Sequence, residues 1–204
     1  MKYINAYITE KLRITKKYKR TPNYDNYTLF PKDIPSLRAM IQDECKKNGN
    51  KCSLNHIDVS GLSDMTGLFK HSKFNGDISE WNVSKVEDMT CMFRMSAFNG
   101  DIPMWDVSSA INMSNMFSCS EFNGDISDWD VSNVENMEAM FFGSEFNSNI
   151  SSWNVSKAND MSHMFQDSKF NQNISNWKIN QNCRIRHMFT DCDINKNYIP
   201  KTLQ

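Results

Sequence analysis

The sequence predicts an α/β solenoid of about six coils, each with a short strand and a short helix or 3-10 turn. Three features predict it: a Phe-Asn pair, a tryptophan and a Met-Phe pair each recur every 24 residues through five copies. One such unit has apolar stripes and nothing to bury them against, so stacked copies must share a core. The recurring residues are Phe74-Asn75, Phe98-Asn99, Phe122-Asn123, Phe146-Asn147 and Phe170-Asn171; Trp81, Trp105, Trp129, Trp153 and Trp177; and Met92-Phe93, Met116-Phe117, Met140-Phe141, Met164-Phe165 and Met188-Phe189.

Two spacings inside the unit predict its elements. The unit reads F-N-G-D-I-S-x-W-x-V-S-x-V-x-x-M-x-x-M-F-x-x-S-x. Trp81 and Val83 are two residues apart, the period of a short strand. The apolar residues that follow fall at i, i+3, i+6 and i+7, which is one face of a short helix or 3-10 turn: Val86, Met89, Met92 and Phe93.

The array extends past the five copies, and three segments precede it. Residues 54–69 match the phase one period earlier, and a partial match after the last copy predicts a partial C-terminal coil, so we assign 51–204 to the solenoid. We expect residues 1–20 to form a basic amphipathic arm and 21–33 a linker. Residues 34–50, with apolar residues at helical spacing, are expected to form a helix that caps the first coil.

Charge is divided unevenly along the chain. Residues 1–20 carry seven Lys/Arg and one acid, whereas the rest carries 16 basic and 23 acidic residues. The arm is a candidate tether to an acidic partner, the alternative being a solvated tail. With a net charge of −1, the whole chain gives no electrostatic argument for nucleic acid, and such a partner is disfavoured. The basic arm residues are Lys11, Arg13, Lys16, Lys17, Lys19 and Arg20.

The motifs that would indicate an enzyme or a membrane protein are missing from the sequence. It contains no G-x-S-x-G, H-E-x-x-H or phosphate-loop motif, so we expect no catalytic site, cofactor or metal. No continuous apolar h-region opens the chain, and no stretch reaches the ~18 apolar residues of a membrane span. The prediction is a protein of the cytoplasm, or one assembled into a particle, without signal peptide or anchor.

The unit D-I-S-x-W-x-V-S-x-V-x-x-M-x-x-M-F resembles the BspA-like leucine-rich-repeat family, and in particular the Met-Phe-rich class known as DUF285. The resemblance covers residues 54–198. It implies a leucine-rich-repeat-like solenoid, of bacterial or phage origin, that binds proteins or surfaces. Because no export signal or anchor accompanies the repeats here, the surface-adhesin role of some members is less favoured.

Three recurring positions could carry chemistry, and each has a structural interpretation. The tryptophans could stack on sugars or bases, but their spacing from Val83 and its equivalents favours burial. Asn75 and Asp77 with their equivalents could bind cations, but Asn replaces Asp in later copies, which favours backbone hydrogen bonding at the turns. His163 and His187 are one period apart and should stack; without further ligands they are predicted to be exposed histidines.

The strand surface is the predicted binding site. On a horseshoe, the residues between the inward-facing ones form an extended sheet face, and repeat proteins commonly bind partners there. This face is polar with an acidic centre, and Pro103 and Met104 form an apolar break in it. The predicted partner-binding residues are Glu80, Asn82, Met104, Asp106, Asp128, Asp130, Asn154 and Lys178.

Three functions are compatible with these features. The first is a non-enzymatic protein-protein interaction module, an effector or defence antagonist for instance, that uses the sheet face, the basic arm or both. The second is a structural subunit of a virion or surface layer that is docked by the arm. The third is a glycan-binding adhesin.

Overall fold

The computed structural model of the protein describes residues 26–203. One α-helix, α1, spans Ile34–Asn48, and two short 3-10 helices span Lys196–Tyr198 and Lys201–Leu203. The β-structure of the described residues consists of isolated parallel bridges and no continuous strand. The bridges join Leu29 to Ile57, Ser53 to Asp77, Asp64 to Asp88, Asp88 to Asn112, Asn112 to Asn136, Asn136 to Asp160 and Asp160 to Arg184.

The predicted α/β solenoid, with a strand and a helix or 3-10 turn in each coil, is therefore wrong. The reason is that the apolar residues mark the ends of β-turns. In one repeat, the N–H of Trp81 donates to the carbonyl of Ile78 at 3.1 Å, and the N–H of Val86 donates to that of Val83 at 2.9 Å. Each of these turns buries its two end residues, so an i, i+3 spacing arises without a helix.

Polar side chains at fixed positions stabilise these turns, where the sequence predicted a strand. Oδ1 of Asp77 accepts from the N–H of Ser79 at 2.9 Å, and Oδ1 of Asp88 accepts from the N–H of Thr90 at 2.8 Å. Asn or Asp followed two residues later by a hydrogen-bonded N–H is the Asx turn, which competes with regular secondary structure. The short Trp-Val alternation cannot outweigh several such turns in each repeat.

The repeats stack as layers of 24 residues, and we number them along the chain: layer 1 comprises 50–73, layer 2 74–97, layer 3 98–121, layer 4 122–145, layer 5 146–169 and layer 6 170–193. Residues 194–203 form part of a seventh. In layers 1 to 5 alternate N–H groups donate to carbonyls of the next layer, for example those of Met65, Gly67, Phe69 and His71 to those of Asp88, Thr90, Met92 and Arg94 at 2.8–2.9 Å. An asparagine column adds one bond per layer, since Oδ1 of Asn99 accepts from the N–H of Asn123 at 2.8 Å.

The core consists of aromatic and methionine columns that run through the layers. Trp105 and Trp129 stack with ring centroids 6.4 Å apart, and Phe117 and Phe141 stack at 5.8 Å. Each tryptophan also donates its Nε1–H to a carbonyl of the preceding layer; for Trp129 the acceptor is Ile102 at 3.0 Å. The columns bury apolar area continuously from layer to layer, which is where the hydrophobic stabilisation comes from.

Two positions in each layer have left-handed backbone conformation. In layer 2 these are Cys91 with φ of 56° and Met95 with φ of 55°; in layer 4 the second is Gly143 with φ of 60°. Each follows the first central residue of a turn, where a positive φ is required for type II geometry. A left-handed residue also prevents the helix that the Met and Phe spacing predicts, because an α-helix needs consecutive negative φ angles.

We expect Gly143→Ala to lower the free energy of unfolding by about 1–2 kcal/mol, the cost of left-handed geometry for a residue with a Cβ. The new Cβ would also lie 3.2 Å from Sγ of Cys119. Gly61→Ala is the matched control, since its Cβ meets nothing within 4 Å and its φ lies outside the left-handed region. Urea unfolding of both variants checks this, and equal stabilities would contradict the conformational argument.

Helix α1 covers the first layer. Asp33 caps its N-terminus by accepting from the N–H of Ser36 at 2.8 Å, and its buried face presents Leu37 and Ile41 to the core. From the exposed side of the same helix, Nη2 of Arg38 donates to the carbonyl of Thr66 at 2.8 Å. The helix therefore satisfies part of the carbonyl edge of layer 1 and closes the N-terminal end of the apolar columns.

Candidate interaction surface

The eight predicted partner-binding residues lie on consecutive turns, which we call the acidic turn face. It is not the sheet face that the sequence predicted, because no strand forms there. Successive layers place these side chains in two rows. One row contains Glu80, Met104 and Asp128, and the other contains Asn82, Asp106, Asp130, Asn154 and Lys178. All are exposed except Asn82, which is half-buried.

Four residues of the second row also hold the turns. Oδ1 of each accepts from the N–H of the serine two residues later, at 3.0–3.2 Å. The acceptors are Asn82, Asp106, Asp130 and Asn154. We did not predict this role, although the Asx-x-Ser pattern in four successive copies is its sequence signal. Because Asn and Asp serve equally as caps, the negative charges at Asp106 and Asp130 are not required by the turn.

The carboxylate of Asp130 is held in its charged form. Hydrogen bonds from the side chain and the N–H of Ser132, together with nearby Lys157, lower the pKa of Asp130. A depressed pKa means that the group stays ionised to lower pH than an ordinary aspartate. Ser108 makes the same two hydrogen bonds to Asp106, at 3.1 Å from its N–H and 2.6 Å from its Oγ. The face therefore holds a stable negative charge at Asp130.

Met104 is the apolar residue within this acidic centre. Its side chain is 49% exposed, and the same row holds Glu80 in the layer before and Asp128 in the layer after. The tryptophans that follow this row stack with ring centroids 6.4–6.5 Å apart from layer to layer, so Glu80, Met104 and Asp128 are neighbours across layers. Pro103 precedes Met104 and has no N–H, so the turn bond that Ser79 gives to Asp77 has no equivalent at Asp101. Layer 3 thus lacks a turn hydrogen bond that layers 2, 4, 5 and 6 have, and it lacks it where the face is most acidic.

Lys178 is the basic residue of the second row and lies in layer 6. Its side chain cannot accept a hydrogen bond, and the cap moves two residues on, where Oδ1 of Asn180 accepts from the N–H of Asn182 at 3.0 Å. The structure therefore groups Glu80, Met104, Asp106, Asp128 and Asp130 across layers 2–4. Asn154 and Lys178 continue the rows away from that group. The basic arm residues Lys11, Arg13, Lys16, Lys17, Lys19 and Arg20 lie outside the described residues.

The other candidate positions have structural roles. The tryptophans are 3–4% exposed, so the prediction that they are core residues is confirmed, and no described tryptophan offers a ring face for stacking. The asparagine column accepts backbone N–H bonds as predicted. His163 and His187 do lie together, with ring centroids 5.3 Å apart, and within residues 26–203 no group of three potential metal ligands is found.

Comparison with known protein families assigns the chain to one of them. A family model described as "Mycoplasma protein of unknown function, DUF285" matches residues 35–145 and, in an overlapping second region, residues 95–201. The two regions together cover most of the sequence. The chain belongs to the DUF285 family. Neither the comparison with curated proteins nor that with solved structures gave a match.

Membership in DUF285 confirms the family that the repeat unit resembles. The broader BspA-like leucine-rich-repeat label stays a resemblance, since the turns of this DUF285 chain build no strand in any described repeat. The family description gives no function. Among the described helices of this DUF285 protein, none combines the length and the apolar character that a membrane crossing requires.

Proposed function

We propose that this DUF285 protein is a non-enzymatic module that binds a basic protein partner through the acidic turn face. The observation that supports it most directly is the exposed Met104 among acidic side chains. An apolar residue that loses water on binding, surrounded by charges that select the partner, is a common arrangement of protein interfaces. The charges at Asp106 and Asp130 are not required by the turns they cap, which favours a role outside the fold.

The partner in this proposal carries Lys or Arg residues around an apolar group. Complementary charge would speed association and favour the correct orientation, whereas contact with Met104 would contribute most of the stabilisation. The basic arm is a further candidate contact, and a structural-subunit role is the alternative in which the arm docks the protein into an assembly. Binding through the acidic turn face distinguishes the two, because only the module requires that face.

A four-residue variant tests the proposal: Met104→Ser, Asp106→Asn, Asp128→Ser and Asp130→Asn. Each new residue already occupies the same row in another layer, namely Ser152 or Asn154, so the fold should be retained. The matched control is Glu121→Ala with Glu145→Ala, which removes two exposed acids from another row that holds Ala97 in layer 2. Unchanged circular dichroism and unfolding would show that both variants are folded.

The measurement has two stages. A photo-crosslinking residue at Met104, compared with one at Glu121, identifies the protein that contacts the acidic turn face in a native lysate. The purified partner is then titrated against the three proteins. We expect the four-residue variant to bind at least about tenfold more weakly, with a loss of salt dependence, and the control to bind as the original does. Equal affinity for all three would refute the proposal.

A further inference from the structure

A ridge of stacked turns runs along one side of the layers. In layer 2 the N–H of Ser96 donates to the carbonyl of Phe93 at 3.2 Å, so Arg94 and Met95 are the central residues of a turn. The N–H of Met95 donates to the carbonyl of Ser118 in layer 3 at 2.8 Å, which stacks one turn on the next. We call this the turn ridge; its residues, in layers 1 to 6, are Lys70-His71, Arg94-Met95, Ser118-Cys119, Phe142-Gly143, Gln166-Asp167 and Thr190-Asp191.

The two ends of the turn ridge carry opposite charge. Lys70 and Arg94 lie in layers 1 and 2, and Asp167 and Asp191 lie in layers 5 and 6. Backbone hydrogen bonds join the turns of layers 1 and 2 at 2.9 Å and those of layers 5 and 6 at 3.0 Å, so each end brings like charges together. Like charges on directly neighbouring segments are unfavourable unless other groups offset them.

Neither end is neutralised within the described chain. Among residues 26–203, the side chains of Lys70, Arg94, Asp167 and Asp191 form no ion pair. The Nε of Arg94 is buried and has no hydrogen-bond partner among those residues. The turn itself does not need the charges, because both of its central residues are uncharged in layer 3. The charges therefore favour a contact outside the chain.

The middle of the turn ridge is apolar. Met95 in layer 2 is 49% exposed, Cys119 in layer 3 is exposed, and Phe142 in layer 4 is half-buried. An apolar centre that loses water, between charged groups that orient the partner, is the usual arrangement of a protein interface. The turn ridge combines both features along a single row of turns.

The turn ridge is complementary to itself. Two copies can be placed face to face in opposite directions, about a midpoint between layers 3 and 4. Lys70 of one copy then faces Asp191 of the other, and Arg94 faces Asp167. The apolar turns of layers 3 and 4 face each other across the same midpoint. Copies placed in the same direction would instead bring each charged end against its own kind.

We propose that the turn ridge is the interface of a homodimer, in which two copies of this chain pair in opposite directions. A two-fold interface uses the same patch on both subunits, so its contacts must be paired about one midpoint. Both charge pairs and the apolar turns meet that condition, which an unrelated partner would not require. The ridge lies half a repeat from the acidic turn face in each layer, and the proposal does not rest on the function proposed above.

Two charge-swap variants test the pairing: Lys70→Glu with Arg94→Glu, and Asp167→Lys with Asp191→Lys. Sedimentation equilibrium of the full chain, from micromolar to about millimolar concentration, measures self-association. We expect each variant alone to self-associate at least about tenfold more weakly, because charges that face each other become alike. An equimolar mixture of the two should regain the original affinity within about twofold, because every exchanged end then faces an opposite charge. Recovery in the mixture also shows that both variants are folded.

A matched control makes the same change of charge away from the ridge. Lys51→Glu with Lys85→Glu replaces one exposed lysine in each of layers 1 and 2, and it should self-associate as the original does. The four-residue variant of the acidic turn face should do so too, which separates the dimer from the proposed function. A chain that stays monomeric up to about millimolar concentration would overturn the proposal, as would a mixture no stronger than its components or a control weakened as much as the charge swaps.

Cys119 allows a check of position. In the proposed dimer the two Cys119 residues lie one layer apart, on either side of the midpoint. A short bismaleimide, to which each thiol adds across a maleimide double bond, should therefore link two copies. We expect Cys119→Ser to abolish this linked dimer although the other cysteines remain, and each charge-swap variant alone to link less. Links that persist in Cys119→Ser would place the contact elsewhere and contradict the proposed interface.

Discussion

Trp129→Ala is expected to lower the free energy of unfolding by about 3–5 kcal/mol, the cost of removing a large aromatic side chain from a core. Trp129 is 3% exposed, lies in layer 4 with Trp105 stacked on it from layer 3, and donates its Nε1–H to the carbonyl of Ile102. The substitution therefore removes packing, a ring contact and an interlayer hydrogen bond together. Urea unfolding followed by far-ultraviolet circular dichroism measures the loss.

Two further variants separate the contributions of packing and hydrogen bonding to this loss of stability. Trp129→Phe keeps a ring but loses the Nε1 donor, and we expect a smaller loss that includes about 0.5–1.5 kcal/mol for the hydrogen bond. Asp130→Asn changes the next residue and keeps its cap, so it should leave stability within about 0.5 kcal/mol of the original. If Trp129→Ala were as mild as Asp130→Asn, the tryptophan column could not be the core.

Phe141→Ala is expected to be similarly costly, again about 3–5 kcal/mol. Its ring is fully buried and lies between Phe117 at 5.8 Å and Phe165 at 5.7 Å, with Phe146 of the next layer at 4.1 Å. The cavity would open in the middle of the stack, where the layers on both sides hold the backbone in place and limit collapse.

Phe189→Ala tests whether the cost depends on the position in the stack. Phe189 occupies the same column but has a ring partner on one side, Phe165, and we expect less than half of the loss at Phe141. Because stacked repeats can unfold in parts, hydrogen exchange should accompany the denaturant curves. An equal loss at both positions would mean that the array behaves as one cooperative core without nearest-neighbour character.

The repeat by itself determined which residues are buried. Constant phase of Phe, Trp and Met through five copies allows only one arrangement in which every copy buries the same side chains, and apart from Phe189 the residues of these columns are fully or nearly fully buried. The interchange of Asp77 with Asn149 and Asn173 likewise indicated backbone hydrogen bonding, because a cap needs an acceptor oxygen and no charge. The choice of candidate surface residues followed from the same phase, since positions between buried ones must face water.

Only the tertiary structure decided the local backbone. An i, i+3 apolar spacing is the same in a helical turn and in a β-turn with buried ends, so the spacing of Met89 and Met92 could not distinguish the two structures. The difference depends on φ at positions such as Cys91 and Met95, which are left-handed although neither is glycine. Interlayer hydrogen bonds impose that geometry, and they exist only once the layers are stacked.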